Sequence, residues 1–299
     1  MNKQEIRPLQ IPQQAFDWYD EYAHGDIDRR TFLRRVSTLG VAGLTVSAIS
    51  SALIPKYALA EQVSFNDPDI TAQYVEIDAP NGHGKARGYL VIPKGVTAET
   101  PAPAVLVVHE NRGLNPYIED VARRTAKAGY VAFAPDALFP LGGYPGNDDQ
   151  GRAMQRELDR DKILGDFSDA ARFLKAHELT TDKVGVVGFC FGGYVSNQLA
   201  ATMPDVINAA APFYGTPPTV DLSQMKGPLL LHFAELDQRV NATWPEYEAA
   251  LKELGVDYTA HEYERVNHGF HNDSTARYDE ASAELAWERT LSFFNSHLS

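Results

Sequence analysis

The stretch Val184-Gly-Val-Val-Gly-Phe-Cys190-Phe-Gly-Gly193 constrains the fold of this 299-residue chain more than any other. Val184, Val186 and Val187 are β-branched, so the approach reads as a short buried strand. Tyr194 to Met203 reads as a helix. At the turn between them sits the single cysteine of the chain, with a glycine two residues away on either side. So sharp a reversal strains the central residue and leaves no room for neighbouring Cβ atoms. The pattern G-x-C-x-G is therefore a nucleophile elbow with sulfur in place of the usual serine oxygen. The plain alternative is a buried cysteine acting as a small hydrophobe. The elbow alone does not decide between them.

The remaining segments alternate. Ile70 to Asp78 and Ala86 to Ile92 read as strands joined by the hairpin signal Pro80-Asn-Gly-His-Gly84. Ala104 to Val108, Tyr130 to Ala134, Ala209 to Tyr214, Leu229 to Ala234 and Tyr258 to Tyr263 are further strand-like runs. Helical patterns cover Ile118–Ala128, Asp161–His177, Pro245–Leu254 and Ala276–His297. Leu138 to Asp149, rich in Gly and Pro, reads as a surface loop. Strands alternating with helices imply a mostly parallel sheet of about eight strands, with helices on both faces. A leading hairpin followed by this alternation matches the α/β-hydrolase plan. Ligands in such sheets bind beyond the carboxyl ends of the strands.

The order expected of that plan is nucleophile, acid, histidine. Asp237 lies just past the Leu229–Ala234 strand, with Glu235 as a weaker competitor. His268 follows the Tyr258–Tyr263 strand, with His271 ranked below it. Each has a plainer reading, Asp237 as a helix cap and His268 as a loop residue. Placed together at three strand ends, Cys190, Asp237 and His268 form a candidate triad. His109 and His232 read as hydrogen-bonding groups inside the sheet. No H-x-x-x-H or C-x-x-C spacing suggests a metal site, and no cofactor is expected.

At these positions the chain resembles the dienelactone hydrolase family of cysteine α/β-hydrolases. The resemblance runs from about Ile70 to Ser299. It rests on Gly188-Phe-Cys-Phe-Gly-Gly193, the Asp237 and His268 loops, Val108-His-Glu110, and the closing helix around Ala286–Phe294. It implies that Glu110 contacts the resting cysteine and holds or takes the thiol proton. It implies a small ester or lactone as substrate, cleaved through a thioester, with the oxyanion bound by the backbone amides of Phe191 and Asn111. The family's two carboxylate-gripping arginines are missing at the matching positions. One of these is Asn272 here, and the loop Leu138–Gly146 holds no arginine. Arg112, Tyr117, Tyr144, Tyr214 and Arg239 are candidate pocket residues. A redox sensor or a non-catalytic binding protein on the same fold is the alternative.

Charge limits the partners. The formal net charge is -13, and the first 60 residues hold seven basic and six acidic groups, leaving 20 against 34 in residues 61–299. That argues against nucleic acid as a partner. The N-terminal segment has its own logic. Arg29-Arg30-Thr-Phe-Leu-Arg34-Arg35 precedes nineteen uncharged residues, Val36 to Ile54, and then Ala58-Leu59-Ala60, a small-x-small pattern. A basic region, an apolar region and a cleavage site in that order make an export signal, resembling the twin-arginine kind. The expected organisation is a signal over 1–60 and one catalytic domain over 61–299. The expected partner of the signal is the twin-arginine export machinery. Periplasmic delivery after cleavage near Ala60 follows, with a retained membrane anchor or a cytoplasmic protein as alternatives. The oligomeric state is open.

Overall fold

The computed structural model describes residues 11–39, 49, 53 and 55–299. Its strands are β1 (Ile70–Ala79), β2 (Gly84–Pro93), β3 (Ala102–Val108), β4 (Val131–Pro135), β5 (Thr180–Phe189), β6 (Ile207–Phe213), β7 (Leu229–Ala234) and β8 (Tyr258–Tyr263). They form one sheet in the order β1-β2-β4-β3-β5-β6-β7-β8. β2 runs antiparallel to both β1 and β4. Every pair from β4 across to β8 is parallel. This is the α/β-hydrolase plan. β5 has a partner on each side, so its carboxyl end, bearing Cys190, lies well inside the sheet rather than at an edge.

The described helices are α1 (Gln13–His24), α2 (Arg29–Ser37), α3 (Tyr57–Ala60), α4 (Pro116–Lys127), α5 (Asp148–Glu157), α6 (Arg160–Ala176), α7 (Phe191–Thr202), α8 (Gln238–Asn241), α9 (Trp244–Leu254) and α10 (Glu280–Leu298). Two cores flank the sheet because strand side chains alternate. In β3, Ala104, Leu106 and Val108 join Phe167 of α6 and Leu199 of α7 in one core. Val105 and Val107 join Ile118 of α4 and Phe294 of α10 in the other.

Two segments depart from the expected reading. α5 begins inside the presumed Leu138–Asp149 loop. Its sequence has almost no apolar stripe to announce a helix. Asn147 caps it by accepting from Gln150 N, and Asp148 and Asp149 complement the positive end of the dipole. The second is the N-terminal segment, where α1 and α2 fold within the stretch expected to be an export signal. α1 ends on Gly25 in the left-handed region at φ 88°, and Asp28 caps α2 at Thr31 N. Ala15, Tyr19, Tyr22, Phe32, Val36, Ile49 and Leu53 share an apolar cluster of their own. Most of the apolar run Val36–Ile54 lies outside the described residues, as do residues 1–10. Among the described residues no helix is long and apolar enough to cross a membrane.

Candidate active site

Cys190 sits between β5 and α7 at φ 57°, ψ −111°. A non-glycine residue there carries roughly 1–3 kcal/mol of strain. The turn is held by Cys190 N donating to Phe213 O at 3.1 Å and Tyr194 N donating to Cys190 O at 3.1 Å. Gly188 and Gly192 make it possible. A Cβ on Gly188 would run into the Gly192 carbonyl and stand 2.6 Å from Ser196 Oγ. One on Gly192 would run into the Val108 carbonyl of the neighbouring strand. The glycines thus allow β3, β5 and α7 to close around the sulfur.

His268 and Asp237 meet from two other strand-end loops. His268 Nδ1 is 2.5 Å from Asp237 Oδ2, both side chains buried. Asp237 Oδ1 accepts from Val240 N at 3.1 Å, so the residue also caps α8. Asp237 thus caps the helix with one oxygen and meets His268 with the other. The competitors are engaged elsewhere. Glu235 accepts from Arg265 N, and His271 Nδ1 meets the Tyr117 hydroxyl at 2.7 Å. His268 Nε2 is buried with no hydrogen-bond partner among the described residues. A ring nitrogen of His268 lies within 4.8 Å of both Cys190 Sγ and a ring nitrogen of a third group, His24 of α1.

The electrostatics favour a thiolate. Burial opposes ionisation of Cys190, but the imidazolium of His268 and then that of His24 outweigh it and hold the thiol well below its ordinary 9.0. Burial likewise opposes protonation of His268, yet Asp20, Asp237 and the thiolate raise it to about 10. The signs follow. The His268 contribution to stability is fully present below pH 6.5, its ordinary value, and is lost as pH rises through about 10. The Cys190 contribution is present above 9.0 and is lost as pH falls through the depressed folded value. Alkylation of Cys190 by iodoacetamide should therefore show its inflection below pH 9.0. An inflection at or above that value would remove the ion pair from the account.

Next to the sulfur is a cavity of 440 Å³. Asn111, Phe191, Tyr214 and Arg239 line it with Cys190. Phe191 opens α7, where the first amides have no intrahelical acceptor and are free for an oxyanion. Three other expected pocket residues lie elsewhere. Arg112 is buried in an ion pair with Asp148 at 2.8 Å. Tyr144 donates to the same carboxylate at 2.7 Å. Tyr117 is buried against His271. Their side chains answer buried charges or rings behind the site, which strand-end position in the sequence does not show.

Glu110 also differs from its expected contact. It is buried, and burial pushes its carboxyl up. Its oxygen accepts from Asn272 Nδ2 at 3.0 Å. Cys190 Sγ is instead hydrogen-bonded to His24 Nε2 at 3.3 Å. His109 and His232 bond within the sheet region, to Ala137 N and to Tyr263 and Thr290 hydroxyls.

Sequence reasoning missed His24 and three arginines, Arg152, Arg156 and Arg160, which line the cavity with Arg239. Among the described residues no aspartate or glutamate lines it, although the chain is strongly acidic. The arginines come from α5 and the start of α6, beyond the loop in which the family's own arginine was sought. The i, i+4 spacing of Arg152 and Arg156 was the one local signal that these two share a face of α5.

A mostly parallel sheet with a sharp strand-to-helix turn at Cys190, and strand-end loops converging on it, defines the α/β-hydrolase fold. The chain belongs to the dienelactone hydrolase family, whose profile matches residues 86–298. A second profile, described as YqhI-like, matches residues 5–40. The chain is 61% identical over 116 residues to a hydrolase fragment, YghX, of Escherichia coli K12, covering 39% of this chain and 97% of that one. It is 28% identical to the carboxymethylenebutenolidase of Pseudomonas putida, over 73% of this chain and 94% of the relative. The solved structure of a dienelactone hydrolase homologue from Klebsiella pneumoniae superposes with a TM-score of 0.65 at 27% identity, covering 76% of this chain and all of its own.

Proposed function

We propose that this hydrolase cleaves ester or lactone bonds of small anionic molecules through a Cys190–His268–Asp237 triad. The observation that carries the reading is the buried His268–Asp237 pair, facing a thiolate-stabilised elbow beside an arginine-lined cavity. The thiolate attacks the carbonyl carbon, forming a C–S bond while the carbonyl electrons move onto oxygen. The amides of Phe191 and Asn111 hold that oxyanion. On collapse the C–O bond breaks, and the leaving alkoxide takes the proton from His268. In a lactone it stays attached to the acyl group. Neutral His268 then takes a proton from water, hydroxide attacks the thioester, and thiolate departs with the carboxylic acid released. Asp237 keeps the imidazole oriented throughout.

A slow aryl ester should leave an acyl adduct on Cys190, read by mass spectrometry. Oxidation of the sulfur with no acylation would favour a redox sensor instead. The rim arginines supply the substrate class. Arg156→Gln combined with Arg160→Gln should raise KM about tenfold for a carboxylate-bearing lactone, two exposed contacts of about 0.7 kcal/mol each. KM for a neutral ester should stay unchanged. Equal changes in both substrates would contradict charge recognition.

A further inference from the structure

The end of α1 lies where a substrate must lie. His24 Nε2 stands 3.3 Å from Cys190 Sγ, the separation from which an acyl carbon would be attacked. Ala23 O accepts from Asn111 Nδ2 at 2.8 Å, beside the amide assigned to the oxyanion. Tyr22 O accepts from Arg152 Nη1 at 3.0 Å, and the Arg152 guanidinium stacks 4.0 Å over the Tyr22 ring. Asp20 sits 3.6 Å from Arg239 and 3.7 Å from Arg277. A helix C-terminus is a cluster of partially negative carbonyls. With Asp20 it offers the arginines what the anionic end of a substrate would offer.

The seat of α1 is polar and loose. Its apolar residues are committed to the cluster shared with α2, Ile49 and Leu53. Its contacts with the catalytic body are mainly charged or hydrogen-bonded. A second cavity of 270 Å³ runs along the seam between α1 and the loops of Asp237 and His268. Polar seams of this kind are those across which parts of a chain separate.

We propose that α1 and α2 form an autoinhibitory cap, a pseudosubstrate whose His24 and Asp20 occupy the active site until it withdraws. The inference rests on Cys190 being the nucleophile proposed above. In the closed chain His24 stands against the sulfur, and Arg152 and Arg239 are already answered by α1. Asp20 adds a second carboxylate near His268 and so pins the imidazolium, whereas deacylation needs that ring neutral. Ala58 and Leu59 are exposed in α3, so cleavage near Ala60 on export would carry the cap away and unmask the enzyme on delivery.

The test compares the full chain with His24→Ala and Tyr19→Pro, the latter breaking α1 and removing the Tyr19 ring from beneath Arg277. Two quantities are read. One is the ratio of Cys190 alkylation rates by a bulky maleimide and by iodoacetamide, in which thiol ionisation cancels. The other is kcat/KM for a carboxylate-bearing ester. Both variants should raise the ratio and kcat/KM about tenfold or more. An unchanged ratio in both variants overturns the cap, and so does a fall in kcat/KM for His24→Ala at an unchanged ratio. A raised ratio with no hydrolysis in any form would keep the cap and reject the hydrolase reading.

Discussion

Cys190→Ala should lower kcat for aryl esters and lactones by about 10⁴-fold or more, close to the background of the site without a nucleophile. Without sulfur no thioester forms, and only oriented water remains beside the amides of Phe191 and Asn111. Alanine retains the Cβ, so the strained backbone at φ 57° is no worse than before. Circular dichroism should therefore report a folded protein. His268→Ala should fall by a similar amount, and the double variant little further, because the two act as one unit. Near-normal turnover by folded Cys190→Ala would end the nucleophile assignment.

Gly188→Val should lower stability by about 3 kcal/mol or more, seen as a fall in Tm of roughly 6–12 °C. The new Cβ points at backbone, the Gly192 carbonyl, which cannot swing aside as a side chain could. To admit it, α7 must move away from β5. That shift would move the Phe191 amide away from the oxyanion position, so residual folded protein should also lose kcat. Gly95→Ala offers a contrast. An added Cβ there meets nothing within 4 Å, and the remaining cost is the backbone preference at φ 86°. A Tm for Gly188→Val equal to that of the parent would show that the elbow packs less tightly than its geometry demands.

Much of the fold was legible in local pattern. The runs of β3, β5, β6 and β7 are apolar on both faces because the sheet is covered on both sides. The hairpin of β1 and β2 announced itself through Pro80 and Gly84. α5 escaped notice because its polar, charged sequence lacks the apolar stripe by which helices are recognised. Tyr117 and Arg112 were placed in the pocket from chain position alone. Which way a side chain turns at a strand end depends on partners such as His271 and Asp148, which lie far along the chain.

By itself the sequence determined the elbow and the order in which its partners follow. Glycine spacing, strand periodicity and the strand-end positions of Asp237 and His268 are local properties, written in consecutive residues. Tertiary structure alone decided what surrounds the sulfur. His24 lies 166 residues before Cys190, and Asp20 reaches arginines more than two hundred residues away. No short-range pattern encodes such meetings. They depend on α1 coming to rest with its carbonyl end against a cationic cavity, a match of charge that exists only once both parts have folded.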